Sequence, residues 1–350
     1  MKKSLIVVFA LTLFSIFAVN GCIHISHPND YLAWVVGQTD NDGKAVLLFS
    51  EDSGNTWERQ GEDILPEGKP LNDIFAVNNK KVWAVGAGGL VMKTLNGGND
   101  WEIIKLTNVA SNTAFYSISI YEDTIWLSGE NGSVVSSSDD GESWSVHNLP
   151  ASASEYLLQG IHAIDSNLIY TAGNKSTQRQ GIVLKSENGG ETWEEIILPN
   201  GYDNIGWIGV KATDKDHIVI NGGRGHYAVT ANGGEQWITG GPLFVKDINS
   251  LIMLDDSTYW AACDFDTIVR TNDSGISWIE QASTGTSNTF LLGIDALDEE
   301  NALITGSSAG YPQFGKILRT DDGGQNWEVV LSATECTVPL SHVTIARKYN

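Results

Sequence analysis

An eight-residue pattern, Ser/Thr-x-Asp/Asn-x-Gly-x-x-Trp, occurs seven times in this 350-residue chain, first as Ser50-Glu-Asp52-Ser-Gly54-Asn-Thr-Trp57. Its acid-or-amide position is filled by Asp52, Asn96, Asp139, Asn188, Asn232, Asp273 and Asp322, and its last by Trp57, Trp101, Trp144, Trp193, Trp237, Trp278 and Trp327. Successive tryptophans stand 41 to 49 residues apart, a spread that loop insertions of a few residues would give. A unit of that size cannot bury its own apolar face and is stable only against neighbours of its own kind. The pattern has the chemistry of a turn: an Asp or Asn oxygen accepts backbone amides, glycine permits positive φ, and the indole covers the hairpin. These carboxylates are read as staples, not as acids or bases.

Four strand-like segments accompany the repeated pattern. Val82-Trp83-Ala84-Val85-Gly86 is echoed by Ile125 to Gly129, Ile169 to Gly173, Tyr259 to Ala262, Leu303 to Gly306 and Ala33 to Gly37. A third strand, such as Val91 to Thr94, runs into the turn, and a fourth, such as Trp101 to Leu106, leaves it. The first lies about nine residues ahead of the second, as in Leu71 to Ala76, Phe115 to Ile120 and Trp207 to Ala212. Four short strands repeated radially predict an all-β, seven-bladed β-propeller over residues 31–350. The first unit lacks its first strand, and the chain ends in an orphan Leu340 to Ala346, so the two termini complete one blade and leave no open edge.

On these residues the turns are identified as Asp-box, or BNR, repeats, a resemblance that covers the chain from residue 31 onward. Blade number, size, exported start and terminal closure resemble the family of photosystem II stability and assembly factors. That resemblance implies a non-catalytic scaffold holding a membrane-protein partner, with ligands on the face opposite the boxes. The photosynthetic members display a basic arginine patch; this chain carries 43 Asp and Glu against 21 Lys and Arg, a formal charge of −22. Such acidity excludes a nucleic-acid partner, whose affinity is drawn from clustered cations.

The N-terminus reads as an address. Met1-Lys2-Lys3, an apolar run from Leu5 to Val19 and Asn20-Gly21-Cys22 follow the order of an export signal, expected over residues 1–21. Val19 to Cys22 resembles a bacterial lipobox, which implies acylation of Cys22, a linker over residues 22–30 and anchorage to a bacterial membrane or cell surface; a secreted soluble form cut nearby is the alternative. Cys263 and Cys336 are then open to pairing or to two separate thiols.

Enzyme signatures fail on context. Gly306-Ser-Ser308-Ala-Gly310 fits Gly-x-Ser-x-Gly but falls in a hairpin, where a nucleophile elbow needs a strand-to-helix turn. Asp40-Asn-Asp42-Gly43 lacks the later ligands of a calcium loop and reads as a hairpin. Once Arg270 and Arg319 are assigned to a repeat position shared with Lys93 and Lys185, too few arginines remain for a sialidase triad. No catalytic residue, metal or cofactor is expected. The rival reading is an exported glycan-active enzyme or glycan-binding lipoprotein using Tyr202, Asp203, Tyr227, Phe265, Asp266 and Tyr311, with Arg224 in the neighbouring loop. Trp207 aligns with Leu71, Phe115 and Leu158 and reads as packing.

Alignment of the first strands exposes one further constellation. The position before Ile74, Ile118, Ile161, Val210, Leu251, Ile294 and Val343 is Gly or Ser in five blades, as crowding near an axis favours, but Asp73 and His342 in two neighbouring ones. These two are expected to face each other near the channel mouth, either as a pH-sensitive or ligand-binding pair or as a bond between blades. His162, Lys211 and Asp295, two positions on, add polar groups to the same channel.

Overall fold

The computed structural model describes residues 31–348, except 176–179, 200–201, 203, 242–245, 282–287, 311–312 and 333–335. The expected signal segment, Cys22, and the loop residues Asp203 and Tyr311 lie outside the described residues. Seven antiparallel four-stranded sheets follow one another along the chain, and the innermost strand of each touches that of the next, closing a ring. Those inner strands are Leu71–Ala76, Phe115–Tyr121, Leu157–Ala163, Trp207–Ala212, Ile248–Met253, Thr289–Ala296 and Leu340–Arg347. The last belongs to blade 1: it pairs antiparallel with Tyr31–Thr39, from Tyr31↔Arg347 to Gly37↔Leu340. Blade 5 supplies a second strand, His217–Gly222, that has no Trp or Tyr to announce it in the sequence.

The outer strands are shorter than expected. In blades 2 and 3 only two residues, Glu102–Ile103 and Ser145–Val146, pair after the tryptophan, where a strand running to Leu106 was anticipated in blade 2; the longest outer strand, Glu328–Leu331, has four. A two-residue edge strand offers few free backbone groups to another chain.

Each box folds as its composition dictates. In blade 1 the Gly54 amide donates to Ser50 Oγ at 2.8 Å, Thr56 N–H donates to Asp52 Oδ1 at 2.8 Å, and Trp57 Nε1 donates to the Gly54 carbonyl at 3.1 Å. The box glycines all have left-handed φ, from 81° at Gly54 to 93° at Gly98, where a side chain would be strained. The hydroxyl and amide of Ser143, with the Ser137 hydroxyl, hold the Asp139 carboxyl down to about 2. Hydrogen bonds donated to a carboxylate favour its charged form.

The box tryptophans also wedge the blades together. Each packs against the second strand of the preceding blade: Trp101 shares a cluster with Trp34, Trp144 with Trp83, and Trp193 stands edge-on to Trp126 at 6.4 Å. Trp327 meets Trp260 at 5.6 Å in the same way. Trp207, only 2 % exposed, joins the core between blades 4 and 5, as its alignment implied. Cys263 and Cys336 are separate buried thiols. Among the described residues, no helix is long and apolar enough to cross a membrane.

Strand direction separates two faces. The boxes and the first-to-second-strand hairpins share one, joined in each of five blades by a backbone bond such as Gly97 N–H to the Lys80 carbonyl at 2.9 Å. The second-to-third-strand loops and the inter-blade connections build the other, here called the loop face.

Candidate functional site

The central channel is a tight space, and the glycines on its wall are there for that reason. A Cβ on Gly160 would lie 2.8 Å from Gly209 Cα, and one on Gly293 would lie 2.8 Å from His342 Cα. Inner strands have a free edge toward the axis, and buried backbone amides there must find partners. They find them in the neighbouring blade. Asp73 Oδ2 accepts the Ile118 amide at 2.9 Å, Ser119 Oγ that of Ala163 at 3.0 Å, and His162 Nε2 donates to the Ala212 carbonyl at 2.9 Å. Asn221 donates to the Ile248 carbonyl at 2.8 Å, Ser250 Oγ accepts Ile294 at 3.3 Å, Asp295 Oδ2 accepts Ile345 at 2.7 Å, and Thr344 Oγ1 accepts Ala76 at 3.1 Å. One such clamp crosses every interface, always from one blade to the next along the chain.

Three of the five channel candidates, Asp73, His162 and Asp295, are thus members of this ring. Asp73 also lies beside His342, with Nδ1 3.0 Å from Oδ1, but Oδ1 already accepts the Ile74 amide at 2.8 Å. The imidazole approaches at ion-pair distance without hydrogen-bond geometry, and its buried Nδ1 has no hydrogen-bond partner. Burial works against the Asp73 charge, yet His342, Lys211 and the Ile118 amide outweigh it and hold the carboxyl below its usual range. Burial prevails at Asp295, pushing its carboxyl up despite the amides of Ile345 and Ala296. Lys211 has neither a hydrogen bond nor an ion pair among the described residues.

His162 carries a pH signature. Burial, assisted by the nearby Lys211 charge, pushes it down to about 4, so it is neutral with its proton on Nε2. The unfolded chain takes up that proton near pH 6.5, and the folded one only near 4. Its contribution is complete above pH 6.5 and is lost as pH falls toward 4. Urea midpoints measured from pH 7 to 4.5 are expected to fall, and His162→Gln is expected to flatten that fall; equal slopes in the two proteins would count against it.

The channel opens on the loop face. A cavity of about 210 Å³ is lined by Asn72, Asp73, Gln159, Lys211, Asn221 and His342, and a second of about 320 Å³ continues toward the box face past His162 and Asp295. Beside the mouth, sharing Gln159, Ile208, Asn249 and Leu292 with the first, lies a recess of about 390 Å³ that adds Asn174, Asn204, Arg224 and Asp247. Arg224 occupies a left-handed position, φ 58°, where blades 2 and 3 place Gly88 and Asn131. Its amide donates to Asp247 Oδ1 at 2.7 Å, while its guanidinium has no partner among the described residues.

The other loop candidates are placed elsewhere. Tyr227 begins a strand, is 5 % exposed and packs on Trp278 at 5.5 Å, so it is core and not loop. Asp266 is buried and pairs with Lys316 at 3.1 Å, tying blade 6 to blade 7. Phe265 is exposed and leans on Phe290. Tyr202 stacks on Trp207, 6.4 Å between centroids. The amides Asn72, Gln159 and Asn249, which line the mouth, and Asn174, which ends a second strand beside the recess, were not singled out in the sequence; only the recurrence of the first three just inside the first strands could have marked them.

Seven four-stranded blades stapled by Asp boxes around a polar channel define an Asp-box β-propeller. Within that class the chain resembles the photosystem II assembly factors: the family described as photosynthesis system II assembly factor YCF48 matches residues 62–197. Among solved structures, YCF48 bound to a D1 peptide aligns with TM-score 0.62 and 17% identity over 83% of this chain and 88% of that one. YCF48 from Cyanidioschyzon merolae aligns with TM-score 0.60 and 14% identity, covering 85% of this chain and 97% of its own. The extracellular domain of a one-component system from B. thetaiotaomicron gives 0.57 and 14%, over 86% of this chain and 47% of that one. At these identities the likeness is one of fold. No curated protein matches the sequence.

Proposed function

We propose that this protein is a non-catalytic binding scaffold that receives a segment of a protein partner on its loop face, and that an acylated Cys22 holds it at a bacterial membrane. The observation that carries the reading is the joined mouth and recess, where the Lys211 and Arg224 side chains stand without a direct ion pair among the described residues, on a molecule of net charge −22. Most other cations of the described chain are consumed in ion pairs, as Arg59 is by Asp40 and Lys93 by Asp140. An anionic side chain or backbone carbonyl entering the mouth would meet Lys211 and Arg224. The family match and the fold shared with a peptide-bound YCF48 support a protein ligand over a glycan.

The test is capture from detergent-solubilised membranes by the purified full chain, with a glycan library run in parallel. Arg224→Ala and Lys211→Ala are expected to weaken capture of the partner about 5-fold or more each, the order of one charge-assisted hydrogen bond, with the melting temperature of Arg224→Ala unchanged. Turnover of a glycan would overturn the scaffold reading, and capture indifferent to both substitutions would move the site off this mouth.

A further inference from the structure

The described fold begins on a particular face. Tyr31 N–H and Oη donate to Ser53 Oγ at 3.4 Å and to the Ser53 carbonyl at 2.8 Å, in the first box, and Tyr31 pairs with Arg347. Both ends of the shared blade therefore emerge on the box face, opposite the channel mouth. Cys22 precedes Tyr31 by nine residues, which span at most about 32 Å when fully extended. Tyr31–Thr39, nine residues of strand running from one face to the other, is itself about 30 Å long at ~3.3 Å per residue. A tether from Tyr31 could reach the level of the mouth only by lying taut along the blade, with nothing left to enter a bilayer.

We infer, resting on the acylated Cys22 of the preceding reading, that the protein stands on a lipid surface on its box face. The mouth then opens away from the bilayer, and the partner is an extramembranous segment standing off the lipid by about one strand length, ~30 Å. The box face suits a zwitterionic surface. Leu95, 55% exposed, and Ile276, 68% exposed, project from boxes 2 and 6 at positions where box 1 has Glu51 and Asn55. Around them Asp100, Glu142, Glu187 and Asp321 are exposed carboxylates, which anionic headgroups would repel. The tether sets the orientation, and the two aliphatic side chains meet the interface.

The experiment uses the full-length acylated protein in phosphatidylcholine vesicles, with a fluorophore on Ile276→Cys or on Phe265→Cys at the loop face. Cys263 and Cys336 are buried and leave these positions to the label. The label at 276 is expected to be quenched several-fold more by nitroxide-bearing lipid than the label at 265, and shielded from aqueous iodide. A label at 265 that is the more lipid-quenched, or equal iodide access at both positions, would overturn the orientation while leaving the anchor standing. Failure of the acylated chain to float with vesicles, or flotation equal in Cys22→Ser, would instead remove the anchor and the orientation with it.

Discussion

Deletion of Leu340–Asn350 is expected to abolish the single cooperative unfolding transition. The strand it removes buries Leu340 and Val343 completely and Ala346 nearly so, side chains worth roughly 1.5–3 kcal/mol each for the larger two. It also takes away Thr344, which clamps blade 2, and the Ile345 amide that Asp295 holds. Two adjacent interfaces lose their clamp at once, and the edge of Tyr31–Thr39 is bared along its length. The summed loss is of the same order as the whole stability of an ordinary domain, about 5–15 kcal/mol. Thermal unfolding followed by circular dichroism, with limited proteolysis, reads the result. An unchanged single transition in the truncated protein would reject closure through a shared blade.

Trp144→Ala is expected to be the most damaging single substitution within a box, at about 3–5 kcal/mol for a buried aromatic. The indole is 4% exposed, lies in the cluster that joins blades 2 and 3, and hydrogen-bonds Gly141. Asp139→Asn, five residues before the tryptophan of the same box, should be nearly silent, because three boxes already use Asn96, Asn188 and Asn232 at that place. Urea denaturation of the two variants separates a wedge from a staple. Comparable losses in both would mean that the turn, not the inter-blade indole, carries the energy.

The sequence showed the ring and its closure because the boxes repeat in type as well as spacing, and because an unpaired strand at each end has one economical solution. It showed that Asp73 and His342 would meet, since the glycines aligned with them mark how little room there is. What it could not show was the destination of the polar atoms. Ser119, Asn221 and Thr344 look unremarkable, and only the approach of adjacent blades makes them partners of Ala163, Ile248 and Ala76. The loop candidates suffered from an opposite error: Tyr227 follows a glycine-rich turn and looks exposed, yet the third strand begins at it and its ring turns inward. The outer strand of blade 2 was overestimated because the third strand that it pairs with, Val91–Thr94, has only four residues to offer.

The clamps around the channel all run in one rotational sense, so the ring has a head and a tail at every joint, like a cyclic assembly of identical subunits folded into one chain. In such an assembly no joint is privileged, and the covalent gap in blade 1 could be moved to another blade with little change in its contacts. Cohesion is spread over seven equivalent seams, whereas recognition needs only one place on the circle. Lys211 and Arg224 both sit on blade 5, which leaves the other six free to drift in their surface loops while the wheel stays shut.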